Sequence, residues 1–208
     1  MKTNNKKNYF KLNNKFWKNK KVLVTGHTGF KGGWLCMFLN NLGCKISGYA
    51  LNPIGKKNFF KATNLKKILT NDFRKNINNL GELDKAIKKI KPEIIFHLAA
   101  QSSVIESFKN SHNTITSNIV GTANIMEVSK KYSFIKSVVI ITTDKVYQNY
   151  KEKKYFDENS QLGGDDIYSG SKACCELLVH SYRKSFFQNS KCNIATVRAG
   201  NCFGGGDW

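Results

Sequence analysis

Acidic residues are scarce in this chain of 208 residues: 14 Asp and Glu stand against 34 Lys and Arg, a formal net charge of +20. Proline is scarcer still, with Pro53 and Pro92 alone, and no Pro/Ser-rich stretch or internal repeat divides the sequence. That leaves one domain, long enough to bury a hydrophobic core. No apolar run approaches the ~20 residues needed to span a bilayer, so the runs at Ile94 to Ala100 and Val138 to Ile141 read as buried strands and no membrane partner is expected. Six cysteines (Cys36, Cys44, Cys174, Cys175, Cys192, Cys202) form no Cys-x-x-Cys pair and no regular spacing. Their pattern excludes a disulfide framework and a zinc site, and points to a reducing, cytoplasmic setting.

The excess of lysine raises nucleic-acid binding, because clustered cations neutralise phosphates. The lysines are spread along the whole chain, with no aromatic-basic repeat or recognition-helix pattern, so no nucleic-acid partner is expected. A general positive field would still draw an anionic substrate such as a nucleotide diphosphate. Residues 1–15 form a basic leader without an acid, and residues 16–208 form the domain, with Phe16 and Trp17 packing under the first strand.

From Lys21 onward short apolar runs alternate with helical patterns, the sequence form of repeated βαβ units. The fold expected is α/β: a Rossmann-like, doubly wound parallel sheet with helices on both faces. Strands are predicted at Lys21 to Thr25, Lys45 to Tyr49, Ile68 to Asn71, Ile94 to Ala99, Ser137 to Thr142 and Asn193 to Arg198. Helices are predicted over Gly32 to Leu42, Leu80 to Ile90 (closed by Pro92), Ser111 to Tyr132 and Ile167 to Phe187.

Chemistry concentrates where strands end. Gly26-His27-Thr28-Gly29-Phe30-Lys31-Gly32 follows the first strand and opens a helix, a context in which backbone N–H groups can approach a pyrophosphate. About 20 residues on, where an acid would hold a free adenosine 2′-hydroxyl, stand Tyr49-Ala50-Leu51-Asn52. Neither an acid nor an arginine is there, so NAD and NADP are not separated. Asp72 is either an acceptor for the adenine amine or a plain loop aspartate. His97 packs or caps rather than reacts. Asn118 is either polar surface or an inward prop for a catalytic lysine. Thr142-Thr143-Asp144-Lys145 ends the fifth strand with a hydroxyl, a carboxyl and an ammonium. Tyr168 and Lys172, four apart on a helix, share a face, and a cation there would favour the phenolate.

In this order, the motifs resemble the extended short-chain dehydrogenase/reductase family, and within it the sugar-nucleotide dehydratases. The likeness rests on Val-Thr-Gly-His-Thr-Gly-Phe-Lys-Gly-Gly-Trp at 24–34, Gly-Tyr-Ala-Leu at 48–51, Phe-His-Leu-Ala-Ala-Gln at 96–101, Asp144-Lys145, Arg-Ala-Gly-Asn at 198–201 and Gly-Gly-Gly-Asp-Trp at 204–208. It implies NAD as cofactor, held by Gly26, Thr28, Gly29, Phe30, Lys31 and Gly32, by Asp72 and Phe73, by Leu98, Ala99, Ala100 and Gln101, and by Asn118, Tyr168 and Lys172. It implies a nucleotide-sugar substrate, CDP-glucose, met by Gln101, Thr143 and Asn201. Tyr168 would take the proton of the sugar 4-hydroxyl with Thr143 beside it, and Lys172 would lower the tyrosine pKa. Asp144 would protonate the departing 6-hydroxyl, and Lys145 stands where sibling enzymes carry the C5 base. A homodimer through the two long helices is implied. The family places most sugar contacts in a smaller lobe after the Gly-Gly-Gly-Asp-Trp region. The chain as given is therefore expected to bind a dinucleotide weakly and to have little dehydratase activity alone. A related epimerase or reductase, or a non-catalytic dinucleotide-binding subunit, are the alternatives.

Overall fold

A computed structural model describes residues 14–148 and 155–207; the basic leader up to residue 13 and Trp208 lie outside the described residues. Six strands, β1 (Lys21–Thr25), β2 (Lys45–Ala50), β3 (Leu69–Arg74), β4 (Ile94–His97), β5 (Ser137–Thr143) and β6 (Asn193–Ala199), form one sheet in the order β3-β2-β1-β4-β5-β6. All five pairings are parallel. The order reverses between β1 and β4, so a crevice opens there at the carboxyl ends of the strands, the place where this doubly wound architecture takes ligands.

Alternation along the strands builds two cores. Leu23 of β1 joins Tyr49, Ile95, Val138 and Ile140 on one face, whereas Val22 and Val24 join Ile46 and Ile94 on the other. Each of these side chains, at 8% exposure or less, contributes about 1.5–3 kcal/mol by leaving water. The first face is covered by α4 (Leu80–Ile90), α7 (Gly121–Lys131) and α8 (Ile167–Tyr182), and the second by α2 (Phe30–Asn41) and α3 (Phe59–Ala62). A short α1 (Asn14–Trp17) sets Trp17 against Phe96, ring centroids 6.5 Å apart, while Phe16 is half exposed.

Local chemistry sets the helix ends. Asn79 caps α4 through its side chain, and Lys91 leaves the helix in the left-handed region just before Pro92. Buried Leu83, Ala86, Ile87 and Ile90 follow the helical repeat. Asp166 caps α8, accepting the Ser169 N–H at 3.0 Å. The long helix expected over Ser111 to Tyr132 consists of α6 (Ser111–Ile115), a π-helical turn over Thr116–Val120, and α7. A second π turn, Arg183–Phe187, extends α8. α5 (Val104–Lys109) and α3 were not expected, although Ser103 and Glu106 spell a capping box and the Ser103 hydroxyl does accept the Glu106 N–H. The third strand starts one residue later than expected and runs on to Arg74, and the fourth stops at His97 instead of Ala99.

Candidate functional site

The turn after β1 is built around glycines. Gly26 has φ +72°, and a Cβ there would lie 2.7 Å from the Ala99 backbone nitrogen. A Cβ on Gly32 would strike the Gly26 carbonyl. Backbone segments after β1 and β4 thus meet with no room for a side chain. Gly29 differs: it is exposed, and a Cβ there would meet the Gly26 oxygen at 3.4 Å. It is the N-cap of α2 and no side chain caps that first turn, so the end of a 12-residue helix faces the crevice with its N–H groups ungated. A dinucleotide pyrophosphate fits this cradle.

Beneath it lies a neutral hydrogen-bonded chain. The Thr25 hydroxyl oxygen accepts the N–H groups of Leu98 and Ala99 at 3.1 Å each, so its hydrogen goes to His97 Nδ1 at 2.8 Å. The proton of His97 then sits on Nε2 and is given to the Thr122 hydroxyl at 3.3 Å, which donates to the Asn118 carbonyl at 2.6 Å. Burial, with Lys172 nearby as a lesser cause, pushes His97 down to about 3. His97 is buried and bridges the hydroxyls of Thr25 and Thr122, which is the packing its position before the strand end implied.

Asn118 sits in the π turn and is buried. Its Oδ1 accepts the Gln101 N–H at 2.8 Å, and its Nδ2 donates to the Gln101 carbonyl at 3.0 Å and the Ser171 hydroxyl at 2.8 Å. It is an inward prop, but for Gln101 and α8 instead of the lysine. The Gln101 side chain is held by Thr114 and by the Ser103 backbone.

Around the end of β5, Thr143 is buried and its hydroxyl lies 3.1 Å from Asp144 Oδ1; it also hydrogen-bonds the Tyr168 phenol. Asp144 and Lys145 are 3.9 Å apart and about half exposed, and Lys145 Nζ reaches Asn201 Oδ1 at 3.4 Å. Lys172 is buried, with Nζ donating to the Ile141 carbonyl at 3.1 Å. Burial holds its ammonium below the usual lysine range; Lys31 acts the same way, while Cys175 and Glu176 oppose. Tyr168 departs from the sequence expectation. Burial raises its phenol above the ordinary value, Asp144 and Asp166 add to that, and the bond from Thr143 opposes; Lys172 is not among the groups acting on it most.

The adenosine side also differs from the local sequence. Arg74, at the end of β3, reaches the end of β2, where it donates to the Leu51 carbonyl at 3.3 Å and lies over Phe60 at 4.3 Å. An arginine is thus supplied from the neighbouring strand. Asp72 spends its two oxygens on Arg74 at 2.8 Å and on His27 Nε2 at 2.9 Å. His27 is fully buried against Gly48, and burial lowers its pKa, with Asp72 opposing. Phe73 packs on the core beside Tyr49, and the Thr28 hydroxyl donates to the Leu51 carbonyl at 3.1 Å.

Sequence reasoning missed one polar group here. Glu176, buried and one helical turn past Lys172, accepts from the Thr142 and Thr196 hydroxyls and from Arg198 at 3.1 Å. Its four-residue spacing from Lys172 was the available signal.

Residues 23–201 match the model of the family described as GDP-mannose 4,6 dehydratase. The chain is 40% identical over 202 residues to the CDP-glucose 4,6-dehydratase of Salmonella typhimurium, covering 95% of this chain and 56% of that protein. It is 32% identical to the dTDP-D-glucose 4,6-dehydratase of Dictyostelium discoideum, over 88% of this chain and 44% of that one. Among solved structures, dTDP-glucose 4,6-dehydratase of Bacillus anthracis in complex with NAD superposes with TM-score 0.70 at 26% identity, over 85% of this chain and 54% of that one. UDP-glucose 4-epimerase of Thermotoga maritima gives 0.76 at 23% identity over 88% and 56%, a likeness of fold. The chain spans about half the length of the curated relatives it matches.

Proposed function

The chain belongs to the GDP-mannose 4,6 dehydratase family, and on that footing we propose that it carries the cofactor-binding and proton-transfer residues of a CDP-glucose 4,6-dehydratase that uses NAD. The observation that carries this reading is the meeting of Thr143, Asp144, Lys145 and Tyr168 at the end of β5, on the same sheet edge as the glycine turn. The 40% identity to a relative named for that activity supports the choice of substrate, and the NAD complex of a structural neighbour supports the choice of cofactor.

A bound NAD would supply a reversible two-electron acceptor for the sugar C4, which explains why a net loss of water needs a dinucleotide. The chain's own residues do the rest. Gly26, Gly29 and Gly32 shape the cradle, with Leu98, Ala99 and Ala100 as its far wall. Tyr168 takes the proton of the sugar 4-hydroxyl, and Thr143, bonded to the phenol, fixes the same oxygen. Burial keeps the Tyr168 phenol high, so its phenolate has to be favoured once cofactor and substrate fill the site; Lys172, one helical turn further along α8, is the cation we assign to that task. Once C4 is a ketone, the C5 proton is acidic; a proton passed within the pair from Lys145 to Asp144 would leave the amine able to take the C5 proton and the carboxyl able to give one to the 6-hydroxyl, which leaves as water. Both groups are half exposed, so a substrate can reach them. Gln101, held rigid by Asn118, and Asn201, in reach of Lys145, complete the sugar-diphosphate side.

A homodimer is part of the proposal. Phe108, Ile115, Ile167 and Leu177 are exposed along α5, α6 and α8, beside an open groove of about 440 Å³ on that helical face and not at the strand ends. No helix among the described residues is long and apolar enough to cross a membrane, and a cytoplasmic location is proposed with the activity. Incubation of the whole protein with NAD and CDP-glucose tests the reading: the product should be lighter by one water. A product of unchanged mass would make it an epimerase instead.

A further inference from the structure

We propose that Trp34 is a positioning residue that clasps residues 200–206 onto the first turns of α2 as a strap over the dinucleotide cleft, an inference that rests on the dinucleotide-binding reading above. The path of the chain requires such a crossing. β6 ends at Ala199 on the edge of the sheet, with β4 and β5 between it and β1. Asn201 then meets Lys145 beyond β5, and Gly205 meets Trp34 on α2, the helix that follows β1: the indole N–H donates to the Gly205 carbonyl at 3.1 Å. A segment that joins those two contacts has to cross from beyond β5 to the start of α2, past the crevice at which the strand order reverses.

The landing site on α2 is shaped to receive the strap. Phe59 inserts its ring between Gly33 of α2 and Gly206 of the strap; a Cβ on Gly33 would strike the ring, and one on Gly206 would lie 2.5 Å from it. Gly206 has φ +88°, which only glycine adopts freely. Trp34 packs on Phe59 with ring centroids 5.3 Å apart, and a Cβ on Gly204 would lie 3.5 Å from Phe30, the residue directly after Gly29. A run of three glycines has little reason of its own to stay in one place, since its backbone entropy is the largest of any residue type. The indole hydrogen bond and the Phe59 slot are what fix it. Trp34 is 45% exposed, so its ring is not there to fill the core.

It follows that a dinucleotide lying in the glycine cradle leaves when the strap lifts, and that weakening the clasp speeds release without altering the cradle. One neutral hydrogen bond corresponds to about a 3- to 10-fold change in an equilibrium, and that is the size of the effect expected.

The test is a stopped-flow chase on the 208-residue chain, with fluorescent 1,N6-etheno-NAD displaced by unlabelled NAD. Trp34→Phe, which keeps a ring and removes the N–H, should release the probe about 3- to 10-fold faster with its unfolding midpoint unchanged. Gly206→Ala, which pushes the strap off Phe59 from the other side, should do the same. Equal release rates in wild type and Trp34→Phe overturn the clasp while leaving dinucleotide binding in place. A shifted midpoint in Trp34→Phe with normal release in Gly206→Ala also overturns it, since the effect would then be one of folding. A wild-type chain that does not bind the probe overturns the dinucleotide reading, and the clasp with it.

Discussion

Asn118 accepts the Gln101 backbone N–H at 2.8 Å and returns its own amide hydrogen to the Gln101 carbonyl at 3.0 Å, so one buried side chain satisfies both backbone groups of the residue after Ala99-Ala100. A third bond, to Ser171 at 2.8 Å, ties the same amide to α8, one residue before Lys172. The π turn over Thr116–Val120 aims it. Three walls of the site are therefore registered to each other by one residue.

Replacing Asn118 by leucine keeps the volume and removes all three bonds, leaving the Gln101 backbone groups and the Ser171 hydroxyl without that partner. At about 1 kcal/mol or more for each buried group, the loss should be about 2–4 kcal/mol in urea unfolding.

The acid limb of the stability curve should carry a signature of His97. Its pKa falls from 6.5 in the unfolded chain to about 3 in the folded one, so between these values the unfolded state binds the extra proton. Stability from this group is fully present above pH ~6.5 and is lost as pH falls toward ~3, at up to about 1.4 kcal/mol per pH unit. His97→Gln removes the titration, and its unfolding free energy should be flatter than wild type from pH 6 to pH 4. Parallel curves would show that His97 titrates alike in both states.

The pair of Arg198 and Glu176 makes the opposite kind of prediction. Glu176 is buried and its carboxylate is met by Arg198 at 3.1 Å, with Thr142 and Thr196 on its other lone pairs. Arg198→Met strands that charge and should cost about 3 kcal/mol, whereas the double change with Glu176→Gln should recover much of it. Calorimetric melting of the single and double variants measures the difference.

For the chemistry, Tyr168→Phe in the whole protein should lower turnover of CDP-glucose by 100-fold or more, on the order of one general acid-base contribution, with the fold intact by circular dichroism. Near-normal turnover would remove Tyr168 from the proposed role.

The parts of the fold that were legible in the sequence are those governed by neighbours in the chain. β1 and α4 begin and end where Gly26 and Pro92 say they should, and the parallel, doubly wound sheet follows from the βαβ alternation. β4 is shorter than its apolar run because the Thr25 hydroxyl, from the adjacent strand, takes the N–H groups of Leu98 and Ala99. The π turn left no trace in composition, since it adds one residue to a helix whose apolar pattern continues on either side. Arg74 beside Leu51, and Glu176 beneath Thr142, are contacts between strands and helices distant in sequence; their residue types were visible and their meeting was not. Tyr168 and Lys172 were correctly read as sharing a helix, but the shift of the phenol is set by burial and carboxylates that spacing does not reveal.

The most direct test of the account is a calorimetric titration of NAD into wild type and Gly29→Val. A Cβ on Gly29 meets the Gly26 oxygen at 3.4 Å, an ordinary contact, and φ is an ordinary −81°, so valine there should change stability by no more than about 1 kcal/mol while filling the place of the pyrophosphate at the start of α2. The account predicts saturable binding to wild type and its loss in Gly29→Val with nearly the same unfolding midpoint. Absence of binding in wild type, or equal binding in both, would contradict it.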